Sequence, residues 1–431
     1  MTNSDIAELL ALEADKQSEF LAKALRKASR VAFTWPEEVT ALLAQGRSLT
    51  ELPSIGPHLA RVITGWIADP PPIPARPDIR RNFMTMAEAR QLLGTTPHPG
   101  PFPPPLSGYL TPALSPERRG SGRGGEGAER AATESQTKAP GGQPLLAKGR
   151  RSSKTRPSVP EFNPTLAKRY KGDLQMHTVW SDGSASIMEM ADAAIERGYQ
   201  YIGITDHSKG LKIARGIDEQ TLRRQAKEIA QANEKLAQKG VKFRVLRSIE
   251  MNLNPRGEGD MDPAALAELD VVVGSFHSAL RTKEDQTDRY LAALRNPTVD
   301  ILGHPRGRIY NYRLGLSADW PRVFATAAEL DKAVEMDSYA DRQDLDVDLL
   351  ALAREAGVKI AIDTDAHHPE QLDFAALGLA AAMRANIPPE RIINFMPTDE
   401  LLQWVKARRE EAPPYRGKIL KEDLLHFSGE P

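Results

Sequence analysis

The sequence predicts an α/β fold: a closed barrel of parallel strands with a small all-helical domain at its N-terminus. Three observations lead there. From Glu161 to about Arg409, short apolar or β-branched runs alternate with helical stretches, and such alternation means parallel strands joined by helical crossovers. The alternation yields seven strand–helix units, which suggests a closed sheet related to the eight-fold α/β barrel. Residues 1–69 instead place their apolar side chains at helical intervals throughout.

Taken in order, residues 1–69 show that spacing in Ile6, Leu9, Leu10 and Leu12, in Leu21, Leu25 and Ala28, and in Val39, Leu42 and Leu43. Trp35-Pro36 interrupts the pattern, and Pro36 suits the first turn of a following helix. A proline-rich connector with a short helix around Met84 to Leu93 fills residues 70–95. Residues 96–160 hold PHPGPFPPP, a Gly/Ser/Arg-rich run and GRRSSKTRP, too little apolar surface to offset the entropy of ordering. We read them as a disordered linker. Its segment GYLTPALSPERRGSGRGGEG resembles a translated genomic repeat, an insertion without selected function. The barrel domain spans 161–412. Its expected strands are Asp173–His177, Tyr201–Thr205, Phe243–Ile249, Val271–Gly274, Ile301–Gly303, Val334–Met336 and Lys359–Ile362. Helices are expected at Ser186–Arg197, Glu219–Lys239, Asp288–Leu294, Trp320–Leu330 and Val347–Glu355. The tail, residues 413–431, carries no pattern.

Composition excludes several classes of function. There are no cysteines among the 431 residues, so disulfides, thiol nucleophiles and thiolate metal sites are out. Any metal must be held by imidazole and oxygen. The net charge of −1 argues against a basic nucleic-acid coat. Met1 to Leu10 lacks the long apolar run of a signal peptide, and no stretch is apolar enough to span a bilayer. The expectation is a cytoplasmic monomer without membrane contact.

The candidate site follows from position. The first strand runs into Gln175 and His177, with Asp182 just beyond. The second runs into His207, the third ends at Glu250, the fourth runs into His277 and the fifth into His304. The seventh runs into Asp363, Asp365 and His367. In a parallel barrel all strand C-termini share one rim, where active sites form. The chain has nine histidines, and five reach this rim. One such imidazole alone is more often structural; five with acids beside them suit zinc, manganese or iron. Carboxylates can bridge two such ions, and a bridged pair can clamp a phosphate. Arg306 and Arg308 follow His304 on the rim and Lys209 follows His207, so these cations are candidates for phosphate oxygens. His368 should point elsewhere, and His58, His98 and His426 lie outside the barrel.

The motifs DLQMHTVWSDGS, ITDHS, IEMN, VVGSFHS, GHPRGR and IDTDAHHPEQLDF resemble, in order, those of the polymerase and histidinol phosphatase (PHP) family. The likeness covers about Lys168 to Arg409 and is nearest to the PHP domain of bacterial family X DNA polymerases. It implies a distorted seven-stranded barrel and up to three divalent ions, Mn2+ or Zn2+. One ion would take Gln175, His177, Glu250 and Asp365. A second would share Glu250 and add His277 and His304. A third would take Asp182, His207 and His367. Gln175 departs from the pattern, since many members have His there; its neutral amide oxygen would either favour manganese over zinc at the first site or leave that site partly empty.

The stretch LTELPSIGPHLARVITGWI resembles a helix-hairpin-helix, with Leu52-Pro53-Ser54-Ile55-Gly56 as the hairpin. Such a turn offers backbone N–H groups to a DNA phosphate. Ser54, Gly56 and Arg61 are the candidate DNA contacts; Ser54 stands where glycine is usual. Between Leu93 and Glu161 there is no room for a polymerase palm. The reading is a phosphoester hydrolase acting on DNA, a 3′–5′ exonuclease or DNA-end phosphoesterase in repair. Glu250 would bridge the metals, and Asp365 or Asp182 would position the nucleophile. The alternatives are a small-molecule phosphomonoesterase of histidinol-phosphatase type and an inactive DNA-binding scaffold.

Overall fold

The computed structural model describes residues 1–95 and 166–411. The linker read over 96–160 and the tail over 413–431 lie outside them. The N-terminal part begins with α1 (Asn3–Ala14), started by a capping box. The Thr2 hydroxyl accepts the Asp5 N–H at 3.2 Å, and the Asp5 carboxylate accepts the Thr2 N–H at 2.9 Å. Helix α2 (Glu19–Val31) buries Ala22, Leu25, Ala28 and Val31, one face at the expected spacing. Helix α3 (Val39–Ala44) leads through the tight turn Leu49–Glu51 to α4 (Pro57–Ala68), with Pro57 in its first turn. Helix α5 (Met86–Leu93) is capped by Thr85 and stopped by Gly94 in the left-handed region (φ 63).

The second part opens with α6 (Leu166–Arg169) and then alternates. Strand β1 (Gly172–Asp173) leads to α7 (Ile187–Glu196), and β2 (Tyr201–Ile204) to α8 (Glu219–Gln238). Strands β3 (Arg244–Arg247) and β4 (Glu250–Leu253) follow in direct succession before α9 (Pro263–Leu266). Next come β5 (Val273–Phe276), α10 (Thr287–Arg295), β6 (Ile301–Leu302) and α11 (Trp320–Glu329). The run ends with β7 (Ala333–Asp337), α12 (Val347–Ala356), β8 (Lys359–Asp363), α13 (Ala375–Arg384) and α14 (Thr398–Glu411). No helix among the described residues is long and apolar enough to cross a membrane.

All strand pairs are parallel, in two sheets ordered β1-β2-β3 and β4-β5-β6-β7-β8. Two parallel bridges join them, His207 with Glu250 and Met176 with Ala366. The expected third strand, Phe243–Ile249, is corrected: it ends at Arg247, and after Ser248-Ile249 a separate strand runs from Glu250 to Leu253. The break lets β3 pair with β2 while β4 turns to pair with β5. One apolar cluster draws on both sheets. Leu174, Tyr201, Leu246, Val273, Ile301, Ala333 and Ala361 pack with Leu401 and Val405 of α14, all of them buried. Burial on both faces explains why these strands read as continuous apolar runs.

The two parts are packed together. Phe33, Phe83 and Tyr310 form an aromatic trio with centroids 4.6 to 5.8 Å apart. Arg80 pairs with Glu8 at 3.0 Å and donates to Asn311 Oδ1 at 3.0 Å. Arg90 pairs with Asp373 at 3.0 Å. Residues 79–93, which the sequence offered only as connector, therefore lie against the second part.

Candidate metal centre

Eight of the nine ligand positions expected from the sequence are linked to one another by short contacts, and the ninth, Gln175, lies beside Glu335. Gln175 and His177 follow β1, and His207 follows β2. Glu250 opens β4, His277 follows β5 and His304 follows β6. Asp365 and His367 follow β8. Local hydrogen bonds fold the loop that brings in Asp182. Buried Asp206 accepts the N–H and the hydroxyl of Thr178 (2.8 and 2.7 Å), the N–H of Ser181 (3.1 Å) and the amide of Gln225 (2.6 Å). Gly183 is required there, because a Cβ would stand 2.3 Å from the His177 carbonyl oxygen.

Glu250, fully buried, is the hub. Its Oε2 lies 2.7 Å from His207 Nδ1 and 3.6 Å from His177 Nε2. Its Oε1 lies 2.7 Å from His304 Nε2 and 3.2 Å from His277 Nε2. His177 Nε2 is also 2.8 Å from Asp365 Oδ1. Asp182 Oδ1 stands 3.5 Å from His207 Nε2 and 3.4 Å from His367 Nε2. The imidazole of His177 stacks between His207 and His367, with centroids at 4.2 and 4.3 Å. Three overlapping groups result, each with ligand atoms within 4.8 Å of one another: His177, Asp182, His207 and His367; His207, Glu250 and His277; His177, Glu250 and Asp365.

The cluster fits divalent cations. Both nitrogens of buried His207, and Oε2 of Glu250, lie close together without a hydrogen bond, an arrangement a cation would satisfy. The donor set is imidazole and carboxylate, suited to zinc, manganese or iron. Burial alone would raise the Glu250 carboxyl, yet the charges of His207 and His277 hold it well below its ordinary value. Burial would also raise Asp365, and Arg342 and His177 hold it low. Burial pulls His207 down, but Glu250 outweighs it and raises that imidazole to about 9. Burial dominates at His277, which falls to about 4. Outer partners orient the rings: Asn252 Oδ1 lies 3.1 Å from His277 Nδ1, and the Asp365 carbonyl 2.8 Å from His367 Nδ1.

Several expected contacts are placed differently. Gln175 is buried beside Glu335, and with its amide turned to suit its neighbours the nitrogen donates to both Glu335 oxygens, at 2.6 and 3.2 Å. Arg306 and Arg308, expected at phosphate, share the Asp346 carboxylate at 3.0 and 2.8 Å. Arg308 is buried, donates to the Arg81 carbonyl at 2.9 Å and covers the Phe83 ring at 3.8 Å. Its guanidinium thus serves the contact between the two parts. Lys209 pairs with Glu219 at 2.6 Å. His368 pairs with Glu370, away from the cluster.

In the N-terminal part, Ser54 adopts φ 65, the conformation for which glycine is usual at this turn. Gly56 caps α4 without a side-chain hydrogen bond, and Gly56 and Arg61 are exposed. The first-turn N–H groups of α4 therefore have no side-chain cap.

Arg342 was missed by the sequence reading. Its guanidinium contacts Asp365 Oδ2 and stands 3.5 Å from Asp337 Oδ2. Strand β7 was the one strand end to which no candidate had been assigned, and its following loop, SYADRQD, supplies this group. Applying the rim argument to that strand would have found it.

The comparisons agree with the geometry. Residues 173–363 match the model of the PHP domain. A DNA polymerase/3′-5′ exonuclease PolX of Bacillus subtilis is 41% identical over 237 residues, 55% of this chain. The match spans only 41% of that relative's length. A probable phosphatase of Edwardsiella ictaluri is 30% identical over 261 residues, covering 57% of this chain and 98% of that protein. A crystal structure of histidinol phosphate phosphatase from Lactococcus lactis covers 56% of this chain and 94% of its own, at 16% identity and a TM-score of 0.32, too slight a likeness to carry weight. The ordered ligand motifs, the domain match and the full-length match to that phosphatase establish that this chain belongs to the PHP domain family.

Proposed function

We propose that the chain is a metal-dependent phosphoester hydrolase that acts on DNA ends, as a 3′–5′ exonuclease or end phosphoesterase. The observation that carries the hydrolase reading is Glu250, whose carboxylate stands within reach of four imidazoles, three of them buried. We read the two sheets as one distorted barrel of seven strands, β3 and β4 counting as one, with these groups at its mouth. The bridges at His207 with Glu250 and Met176 with Ala366 support that closure.

Gln175, His177, Glu250 and Asp365 would hold one ion, Glu250 with His277 and His304 a second, and Asp182 with His207 and His367 a third. Bound Mn2+ or Zn2+ would polarise the phosphoryl oxygens and acidify water at the site. Asp182 and Asp365 remain ionised in this setting, since neighbouring positive charge holds both below their ordinary values. Either carboxylate can position an attacking water by accepting a hydrogen bond from it. Asn252 meets the His277 ring and Gln371 accepts the His367 backbone N–H, so both histidines are held before substrate arrives.

DNA as substrate rests on the N-terminal part. The hairpin at Ser54 and Gly56 leads into α4, whose first turn offers its N–H groups to a phosphate, and Arg61 adds charge. The match to the Bacillus subtilis polymerase/exonuclease points the same way. A second reading, a small-molecule phosphomonoesterase, is favoured by the 98% coverage of a probable phosphatase. Purified protein with Mn2+, tested on 3′-labelled DNA and on a simple phosphomonoester, decides between them. Hydrolysis of the phosphomonoester alone would overturn the DNA reading; no hydrolysis of either would leave the inactive scaffold.

A further inference from the structure

Residues 79–84 run as a strap across two loops of the second part. They hold the loop after His304 from one side. The Ile79 carbonyl accepts the Asn311 N–H at 3.1 Å, the Arg81 carbonyl accepts from Arg308 at 2.9 Å, and Phe83 lies under the Arg308 guanidinium. They hold the loop after β7 from the other. The Met84 N–H donates to Gln343 Oε1 at 2.8 Å, and Gln343 Nε2 donates back to the Met84 carbonyl at 2.7 Å. The two loops also bond to each other, Tyr310 N–H to the Asp341 carbonyl at 2.8 Å.

The neighbour of Gln343 in the chain is Arg342, whose guanidinium reaches Asp365. Gln343 has φ 45 and Asp365 φ 51, left-handed conformations that non-glycine residues adopt only when their surroundings impose them. At Gln343 the surroundings are the paired bonds to Met84, a bond from Nε2 to the Ala340 carbonyl at 2.9 Å and one from its own N–H to the Tyr339 carbonyl at 3.1 Å.

We propose that residues 79–84 are a working part of the metal centre: by clamping Gln343 they position Arg342, and through it the carboxylate of Asp365. Gln343 and Arg342 are positioning residues in this scheme. The N-terminal part is then required for hydrolysis of any phosphoester, including one too small to touch the hairpin. A mere DNA-recruiting tether would affect DNA alone. The proposal rests on the metal-site reading above.

The test uses the full chain and its variants Gln343→Ala, Gln343→Glu, Arg342→Ala and the double variant Arg342→Ala/Gln343→Ala. Mn2+ binding is read by titration calorimetry, and turnover on bis(p-nitrophenyl) phosphate. Gln343→Ala should weaken Mn2+ binding by about tenfold, as loss of an outer support of a ligand does. Its kcat on the small diester should fall with KM little changed. Gln343→Glu keeps the acceptor for the Met84 N–H and should fall between wild type and Gln343→Ala, which covers the case in which the alanine variant does not fold. In the Arg342→Ala background, Gln343→Ala should add no further loss of Mn2+ affinity, since both act through one contact. Wild-type Mn2+ affinity and kcat in both Gln343 variants, or additive losses in the double variant, would overturn the proposal. A wild-type chain that binds no Mn2+ would instead overturn the metal site itself, and the proposal with it.

Discussion

The carboxylate of Glu250 reaches His207 with one oxygen and His304 with the other, each at 2.7 Å. These imidazoles come from different strand ends, one following β2 and one following β6. A single buried acid so placed ties the two sheets together at their mouth. Left to themselves, a buried carboxylate and close-packed imidazoles carry a large desolvation cost. A divalent cation offsets it, which is the physical reason to read this cluster as a metal centre.

Gln175 is the one proposed ligand that is neither an imidazole nor a carboxylate. Replacing it with histidine should tighten zinc binding, since one ring nitrogen can face the cluster while the other donates to Glu335, as metal-bound imidazoles commonly do to a carboxylate. Competition titration with a zinc chelator measures this. Unchanged stoichiometry and affinity in Gln175→His would count against a metal at that position.

Arg308 is buried, paired and stacked on Phe83, so its role is to join the two parts. Arg308→Ala should lower stability by about 3 kcal/mol, toward the lower end for breaking a buried pair, because Arg306 still neutralises Asp346. Chemical denaturation gives that figure. KM for a small phosphoester should stay at the wild-type value; a raised KM with normal stability would restore Arg308 as a phosphate contact.

Lys332 is buried, and its ammonium donates to the Val299 carbonyl at 2.7 Å. Burial, and then the charge of Arg408, push it down to about 7. Its folded value lies below the ordinary lysine value of about 10.4, so between these limits the unfolded chain binds the extra proton. Stability from this group therefore rises with pH from about 7 to about 10. The stability difference between wild type and Lys332→Met should climb across that window when denaturation is repeated at each pH. A flat difference would show that Lys332 keeps its charge in the fold.

Ser54 holds φ 65 at the hairpin. A left-handed conformation costs a side-chain-bearing residue roughly 1–2 kcal/mol, so Ser54→Gly should stabilise the chain by about 1 kcal/mol. It should also tighten DNA binding, because the backbone can approach a phosphate more closely. Fluorescence anisotropy with duplex DNA at low and high salt tests both the affinity and its electrostatic origin. No binding by either protein at low salt would remove the hairpin as a DNA contact.

The candidate ligands other than Gln175 were legible because each is a His, Asp or Glu at or just beyond the end of an apolar run, and parallel topology sends all such ends to one rim. Glu335 and Asn252 carried no comparable signal: they are ordinary polar residues whose partners are revealed only when distant loops meet, whereas Arg342 lay after the one strand end to which the rim argument had not been applied. The break between β3 and β4 was hidden because Ser248-Ile249 continues the strand-like pattern. Helix α13 was missed for a different reason. Its residues Ala375, Leu377, Gly378, Leu379, Ala380, Ala381 and Ala382 are buried nearly all round, so no polar face marks its period. The strap escaped notice because Arg80, Arg81 and Asn82 look like connector, and their partners Glu8, Arg308, Asn311 and Asp348 lie far away in the chain.

Metal content read together with activity tests the central claim most directly. The chain is stripped by exhaustive chelation, assayed on bis(p-nitrophenyl) phosphate, reloaded with Mn2+ and assayed again, with bound metal measured by plasma mass spectrometry. The expected result is hydrolysis that disappears on stripping and returns with bound Mn2+, while Glu250→Gln retains less metal and loses more activity than the roughly 100-fold cost of removing an outer partner. Full hydrolysis by the stripped protein, or a Glu250→Gln variant that binds metal and turns over like wild type, would contradict it.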